Sequence, residues 1–227
     1  MSIAEKIATI TENEPRVYDS GVIRGAYEAG KLIAEEKPYI NTSKITDFYC
    51  YFYYGHRLEL LQYVDTSNGK NFASMFAQCS TLTEIPQIDI SSGTNLASMF
   101  DGCLQLEEIP QIDTSNGKNF ASMFSFCKEL STIESINVSN GTNLTNLFYS
   151  CDKLTEITFV GDIKQSLDMR YSSLLTHDSL MSIINALYDY STDTSGTNYT
   201  LTIGNTNIQK LTQEELGKIE SKGWSYQ

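Results

Sequence analysis

Four cysteines recur at a single interval, and this regularity raises the question of metal, disulfide or nucleophilic chemistry. They lie 24 residues apart, at Cys79, Cys103, Cys127 and Cys151. No two of them form a Cys-x-x-Cys pair, and the chain has only two histidines, so the usual spacing of a zinc site is missing. A buried thiol packs as a small hydrophobic side chain. We therefore predict a stack of reduced core thiols, with the out-of-phase Cys50 as the most exposed thiol.

The two histidines do not build a catalytic site. His56 occupies a repeat position that holds serine, leucine, lysine and aspartate elsewhere, and such variety is typical of a solvated edge. His177, Asp178 and Ser179 are the residue types of a hydrolase triad, but consecutive helical residues point in different directions. We predict no enzymatic activity and no cofactor.

The sequence Asp-Thr-Ser-Asn-Gly, at 65–69 and again at 113–117, raises the possibility of calcium binding. It lacks the alternating carboxylates and the terminal glutamate of an EF-hand loop. A polar turn explains the same residues, so we predict no metal site.

Composition excludes two classes of partner. The 227 residues include 16 lysines and arginines against 28 aspartates and glutamates, which gives a net charge of -12. Nucleic acids and anionic membranes are bound by clustered basic residues. The first residues show no secretory signal, and no run of 18 apolar residues predicts a membrane span. We expect neither nucleic-acid binding nor membrane insertion.

The cysteines belong to a longer repeat. The sequence KNFASMF at 70–76 returns at 118–124, and TNLASMF stands halfway between them. A leucine follows each cysteine position by three residues, at Leu58, Leu82, Leu106, Leu130 and Leu154. Repeats of this length with this leucine spacing are typical of leucine-rich solenoids. We predict an α/β leucine-rich repeat solenoid with five 24-residue repeats in residues 41–162.

Within a repeat the spacing predicts a short helix. Four apolar residues stand at i, i+3, i+4 and i+7, namely Phe72, Met75, Phe76 and Cys79. Asn71 precedes them as a candidate N-cap. A glycine just before it, such as Gly69, is expected to supply a turn with positive φ.

A short strand is predicted to follow the helix. Leu82 and Ile85 would face inward in this strand. Pro86 and Pro110 lack a backbone N–H, so the strand should be short or bulged in those repeats.

The two ends of the chain differ from the repeats. Residues 163–227 read as two larger strand–helix units that form a C-terminal cap, with Thr176 and Thr212 as helix N-caps. Residues 1–40 read as helical. They could cap the first repeat, or residues 1–36 could pair copies of the chain into a homo-oligomer.

The repeat motif Met-Phe-x-x-Cys-x-x-Leu-x-x-Ile-Pro resembles the BspA-like leucine-rich repeats of bacterial surface proteins, especially the subgroup found in mycoplasma-type lipoproteins. Residues 72–160 carry the motif most strongly. The resemblance implies a curved solenoid, display on the cell surface or outside the cell, and adhesion. The opening stretch ENEPRVYDSGVIRGAYEAGK is similar to the N-termini of prophage-encoded leucine-rich proteins, which implies a virion or tail component as the alternative. Without either setting, a cytoplasmic location is expected.

The first candidate binding surface is the concave face of the predicted sheet. Its outward positions are mostly acidic, with amides beside them: Glu84, Glu108, Thr132, Glu156, Gln87 and Gln111. Such a face suits a basic or polyhydroxyl partner, although a merely solvated sheet would look the same.

The second candidate surface is a patch of surplus aromatic residues within 48–63: Tyr49, Tyr53, Tyr54 and Tyr63. Tyrosine combines an apolar ring with a polar hydroxyl and is common at interfaces. These rings could bind carbohydrate or protein, or lie buried beneath the N-terminal helices. The function that we predict is non-catalytic recognition or adhesion, with a structural virion part assembled through residues 1–36 as the alternative.

Overall fold

Regular strands and helices lie in the C-terminal half of the described chain. The computed structural model describes residues 45–55, 64–85, 87–194 and 196–227, so the predictions for residues 1–40 lie outside the described residues. The strands are β1 (Thr132–Asn137), β2 (Glu156–Val160), β3 (Leu167–Asp168), β4 (Tyr199–Thr202) and β5 (Trp224–Tyr226). The helices are α1 (His177–Ala186), α2 (Gly204–Ile208) and α3 (Gln213–Ser221).

The repeats before β1 are turns that stack in parallel. Isolated parallel bridges join one position of successive repeats, in the order Asp47, Asn71, Asn95, Asn119 and Asn143. After each bridge, every second N–H donates to the next repeat, as Phe72 does to the Asn95 carbonyl at 2.8 Å and Phe76 to the Met99 carbonyl at 2.9 Å. These bonds fix the register at one repeat. A leucine-rich solenoid for the whole chain stays a prediction.

The short helix predicted in each repeat is wrong. Residues 72–79 form consecutive turns, in which Met75 N–H bonds to Phe72 O and Cys79 N–H to Phe76 O, both at 3.1 Å. Ser74 and Gln78 have φ values of 54° and 61°, and a left-handed residue recurs at these positions in the other repeats. A helix would require every N–H to bond within its own segment. Here half of them bond to the neighbouring repeat instead. The apolar spacing fits both structures because turns of this kind also bring every third or fourth side chain inward.

Phenylalanine rings from successive repeats form the centre of the core. We call Phe52, Phe76, Phe100, Phe124 and Phe148 the phenylalanine stack. Neighbouring ring centroids are 5.5–5.7 Å apart and the ring planes lie within 11° of parallel. Phe159 meets the last ring edge-on at 6.3 Å and 82°, which ends the stack. The stack explains why phenylalanine recurs at this position, because each ring needs a flat neighbour on both sides.

The turn glycines serve a different purpose from the one predicted. Positive φ is found at Gly102, Gly161, Gly196, Gly204 and Gly223, and not at Gly69 or its counterparts in later repeats. A Cβ on Gly69 would lie 2.1 Å from Cζ of Phe72, and one on Gly117 would lie 2.3 Å from Cζ of Phe120. Glycine is required there because a buried ring packs directly against the backbone.

Strand pairing begins later in the chain than predicted. Among the described residues the first continuous ladder is the parallel pair of β1 and β2, and Leu82–Ile85 is not a strand. Pro110 stands where the strand-forming repeats have Glu134 and Thr158, so a backbone donor is missing in the earlier repeat. The pair of β1 and β2 still carries an irregular register between Ile133 and Ile136.

The C-terminal units match their sequence signals closely. The Thr176 hydroxyl caps α1, and Thr212 with Glu215 forms the predicted capping box of α3. β3, β4 and β5 form a parallel sheet in that order. The short helix α2 lies where a loop was predicted. Trp224 is buried, as expected of a residue that closes this end.

Candidate binding site

A groove of about 730 Å³ crosses three successive repeats. Equivalent segments of two repeats, residues 87–90 and 111–114, form most of its lining, and Ser135, Asn137 and Val160 complete it. Ile88, Ile90 and Ile112 are buried and supply the apolar floor, whereas the residues between them point outward. The stacking of repeats thus places like side chains side by side along the groove.

Two carboxylates in this groove are held in fixed positions. Oδ1 of Asp89 accepts the N–H and the hydroxyl of Ser91 at 2.9 and 2.6 Å. Oδ1 of Asp113 accepts the N–H of Ser115 at 2.9 Å. Hydrogen bonds from the side chain and backbone of Ser115 lower the pKa of Asp113, so this carboxylate is ionised at neutral pH. The Asp-Thr-Ser-Asn-Gly sequence therefore forms a polar turn that orients a charge.

The predicted concave face is only partly in the groove. Gln87 and Gln111 line it, and Nε2 of Gln87 donates to the Gln111 carbonyl at 2.8 Å. The other predicted positions, which we call the glutamate column, are Glu84, Glu108, Thr132 and Glu156. Glu108, Thr132 and Glu156 are paired in register on neighbouring repeats, as predicted, but none of the column lines the groove.

The predicted tyrosine patch is partly assembled. Tyr53 and Tyr54 meet edge to face, with ring centroids 4.6 Å apart. Tyr49 and Tyr54 are exposed, at 44% and 55%. Tyr63 lies outside the described residues, as does any covering by the N-terminal segment.

A second aromatic cluster was missed by the sequence reasoning. Phe126 meets Tyr149 at 5.2 Å, and Tyr149 meets Tyr171 at 4.6 Å, with steep interplanar angles of 68° and 62°. We call these three residues the aromatic strip. The available signal was that position 126 aligns with Gln78 and Gly102, because an aromatic residue in a variable, polar column indicates an exposed ring.

The cysteines are placed as core residues. The four in-phase thiols are fully buried, and each donates to the carbonyl oxygen of a phenylalanine in the preceding repeat, as Cys103 does to Phe76 at 3.2 Å. Burial raises the pKa of all four thiols, to about 11 for Cys79. Their protonated state makes them poor nucleophiles and poor metal ligands. Cys50 is only half-buried and is free, like the other four.

The histidine regions show no assembled catalytic group among the described residues. Ser179 is buried, and its hydroxyl accepts from the Ile157 N–H at 3.0 Å, so it anchors α1 to β2. His177 instead pairs with Glu215 at 2.9 Å. His56 lies outside the described residues. Where side chains are described, no group of three or more His, Cys, Asp or Glu residues is placed to hold a metal ion.

The stacked 24-residue units define this chain as a repeat protein. The model of the family described as "Mycoplasma protein of unknown function, DUF285" matches residues 27–132 and 70–173, which together cover more than half of the chain. The chain belongs to this family, which is the one associated with BspA-like repeat proteins. No curated protein and no solved structure matches the chain. Among the described residues, no helix combines the length and apolar composition needed to cross a membrane.

Proposed function

We propose that this chain is a non-catalytic recognition module whose ligand lies in the groove across residues 87–90 and 111–114. The observation that carries the proposal is the pair of fixed carboxylates, Asp89 and Asp113, above an apolar floor in a cavity of about 730 Å³. Carboxylates held in place before binding lose little freedom when a ligand arrives, and this favours affinity.

The chemistry of the groove favours a basic or polyhydroxyl partner. The carboxylates accept hydrogen bonds from ammonium, guanidinium or hydroxyl groups, and Gln111 offers both a donor and an acceptor. The net charge of -12 adds long-range attraction for a basic partner. The glutamate column lies beside this groove in sequence and would extend the contact for a longer ligand.

We also propose the setting in which this module works. The family and the stacking of repeats support a BspA-like leucine-rich solenoid, and such a rigid face is suited to adhesion at a bacterial cell surface or on a virion.

The experiment replaces groove carboxylates without disturbing their turns. Asn137 occupies the same position in the next repeat, and its Oδ1 accepts the Ser139 N–H at 3.0 Å, so asparagine preserves the turn. We expect the Asp89→Asn, Asp113→Asn double variant to lose at least tenfold in affinity for the lysine- and arginine-rich peptides or glycans that the unaltered protein holds on an array.

Asp65→Asn is the matched control, because Asp65 forms the same turn with Ser67 but does not line the groove. It should bind like the unaltered protein. Glu84→Lys combined with Glu108→Lys tests the glutamate column separately. If no array ligand is held, or if the groove double variant binds as well as Asp65→Asn, the groove proposal fails.

A further inference from the structure

The aromatic strip, Phe126 with Tyr149 and Tyr171, combines exposure with backbone strain. Phe126 is 40% exposed and Tyr171 is 39% exposed. Phe126 has a φ of 57°, in the left-handed region that disfavours residues with a Cβ. Gly102 occupies the same column one repeat earlier, so the turn accommodates glycine. The fold alone would be served by a small residue at position 126.

An aromatic ring that is held in a strained and exposed position suggests a function at the surface. The Phe126 N–H still donates to the Tyr149 carbonyl at 2.7 Å, as this position does in other repeats, so the ring itself is not needed for the ladder. Its edge-to-face contacts fix the orientation of all three rings. The result is a small, rigid aromatic surface.

The geometry narrows the class of ligand. A quaternary ammonium ion needs a space between rings, but these rings touch one another at 4.6–5.2 Å, so no cage exists between them. Exposure near 40% leaves about 80 Å² of each of the two outer rings. A stable protein interface needs about 800 Å² per partner, so the strip by itself is too small for one.

The neighbouring charges favour a neutral ligand with hydroxyl groups. Lys128 and Asp152 stand in one column on adjacent repeats and are both exposed, which balances the local charge. Next to Tyr171, Arg170 pairs with Asp168 at 2.8 Å and presents both donors and acceptors. A hydrogen bond with Tyr149 raises the pKa of Tyr171, so both hydroxyls lie at the same edge of the strip.

We propose that the aromatic strip binds a short neutral oligosaccharide. The apolar face of a sugar ring would stack on Phe126 or Tyr171, and its hydroxyls would bond to the tyrosine hydroxyls and to the pair of Arg170 and Asp168. This site shares no residue with the groove and would operate whether or not the groove binds a ligand.

The test uses Phe126→Gly, which removes the ring and relieves the strained backbone together. Saturation-transfer NMR with cello-, chito- and malto-oligosaccharides should show signals from at least one of these series for the unaltered protein. Those signals should vanish in Phe126→Gly and fall at least fivefold in Tyr149→Ala. The melting temperature of Phe126→Gly should stay equal or rise, which separates a binding role from a structural one.

Ser150→Gly is the matched control, since Ser150 has a φ of 56° in the same column but carries no ring. It should keep full oligosaccharide signals, as should the groove double variant Asp89→Asn, Asp113→Asn. The proposal is overturned if no neutral oligosaccharide binds, if binding survives in Phe126→Gly, or if only anionic glycans or peptides bind. A lower melting temperature in Phe126→Gly would also overturn it, because the ring would then serve the fold.

Discussion

Replacing two adjacent residues by glycine tests the local structure of the repeats. Ser98 has a φ of 53°, whereas its neighbour Ala97 is not in the left-handed region. The Ser98 N–H donates to the Ala121 carbonyl at 2.8 Å, and a glycine at position 98 can keep this bond. We expect Ser98→Gly to stabilise the protein and Ala97→Gly to destabilise it.

The magnitudes follow from the backbone conformation. A residue with a Cβ costs about 1–2 kcal/mol in the left-handed region. Glycine has greater freedom in the unfolded chain, which costs about 0.5–1 kcal/mol on folding. Ser98→Gly should therefore gain about 0.5–1 kcal/mol, and Ala97→Gly should lose about the same amount because it relieves no strain. The two variants should differ by about 1–2 kcal/mol.

Thermal unfolding measured by calorimetry gives the comparison directly. For a chain of this size, 1 kcal/mol corresponds to about 2–4 °C in melting temperature, so the two variants should be separated by several degrees. Ser122→Gly and Ala121→Gly repeat the test in the next repeat, where Ser122 has a φ of 55°. If residues 96–103 were a helix, both glycines would lower the melting temperature. Equal losses at positions 97 and 98 would refute the left-handed turns.

Three further substitutions test the core, the thiols and the C-terminal helices. Phe100 is fully buried between two rings of the phenylalanine stack, so Phe100→Ala should cost about 3–5 kcal/mol in chemical denaturation, and a loss below 1 kcal/mol would contradict this packing. Burial raises the pKa of the Cys127 thiol, so the folded chain keeps a proton that the unfolded chain loses above its ordinary pKa of about 8.5. The free energy of unfolding should fall as pH rises above this value, by up to about 1.4 kcal/mol per pH unit for each such thiol, and Cys127→Ala should show a shallower fall; equal slopes would contradict the burial. The Lys222 ammonium donates to three carbonyl oxygens at the end of α1 at 2.7–3.1 Å, so Lys222→Met should cost about 1.5–3 kcal/mol in the same denaturation assay. The exposed Lys218→Met is its control and should change stability by less than about 0.5 kcal/mol; similar losses at both positions would contradict the capping role.

Much of the fold could be predicted because the repeat separates buried from exposed positions. The period placed the thiols and the phenylalanine stack correctly, and the capping signals at Thr176 and Thr212 gave the starts of α1 and α3. The repeat helix failed because apolar spacing within eight residues does not show where the N–H groups bond. Their partners lie 23 residues further along the chain, and no local pattern records them.

The candidate site was predictable to a similar depth. The acidic and amide columns were found because they repeat, but the groove uses Asp89 and Asp113 and leaves out the glutamate column. That division depends on how far each turn carries the chain across the sheet, which the letters do not specify. The aromatic strip was missed because its three members come from different columns and only stacking brings them together.

The left-handed positions connect the fold of this protein to the variety of its surface. The ladder between repeats imposes positive φ on the column of Tyr54, Gln78, Gly102, Phe126 and Ser150, whatever the side chain. Because the backbone there is fixed by hydrogen bonds and not by side-chain packing, a change of residue alters the surface and leaves the stacking intact. The cost of each change is limited to the strain of a Cβ in that region, about 1–2 kcal/mol. A phenylalanine that bears this cost while 40% exposed is difficult to explain by folding alone, and binding through its ring accounts for both its strain and its exposure.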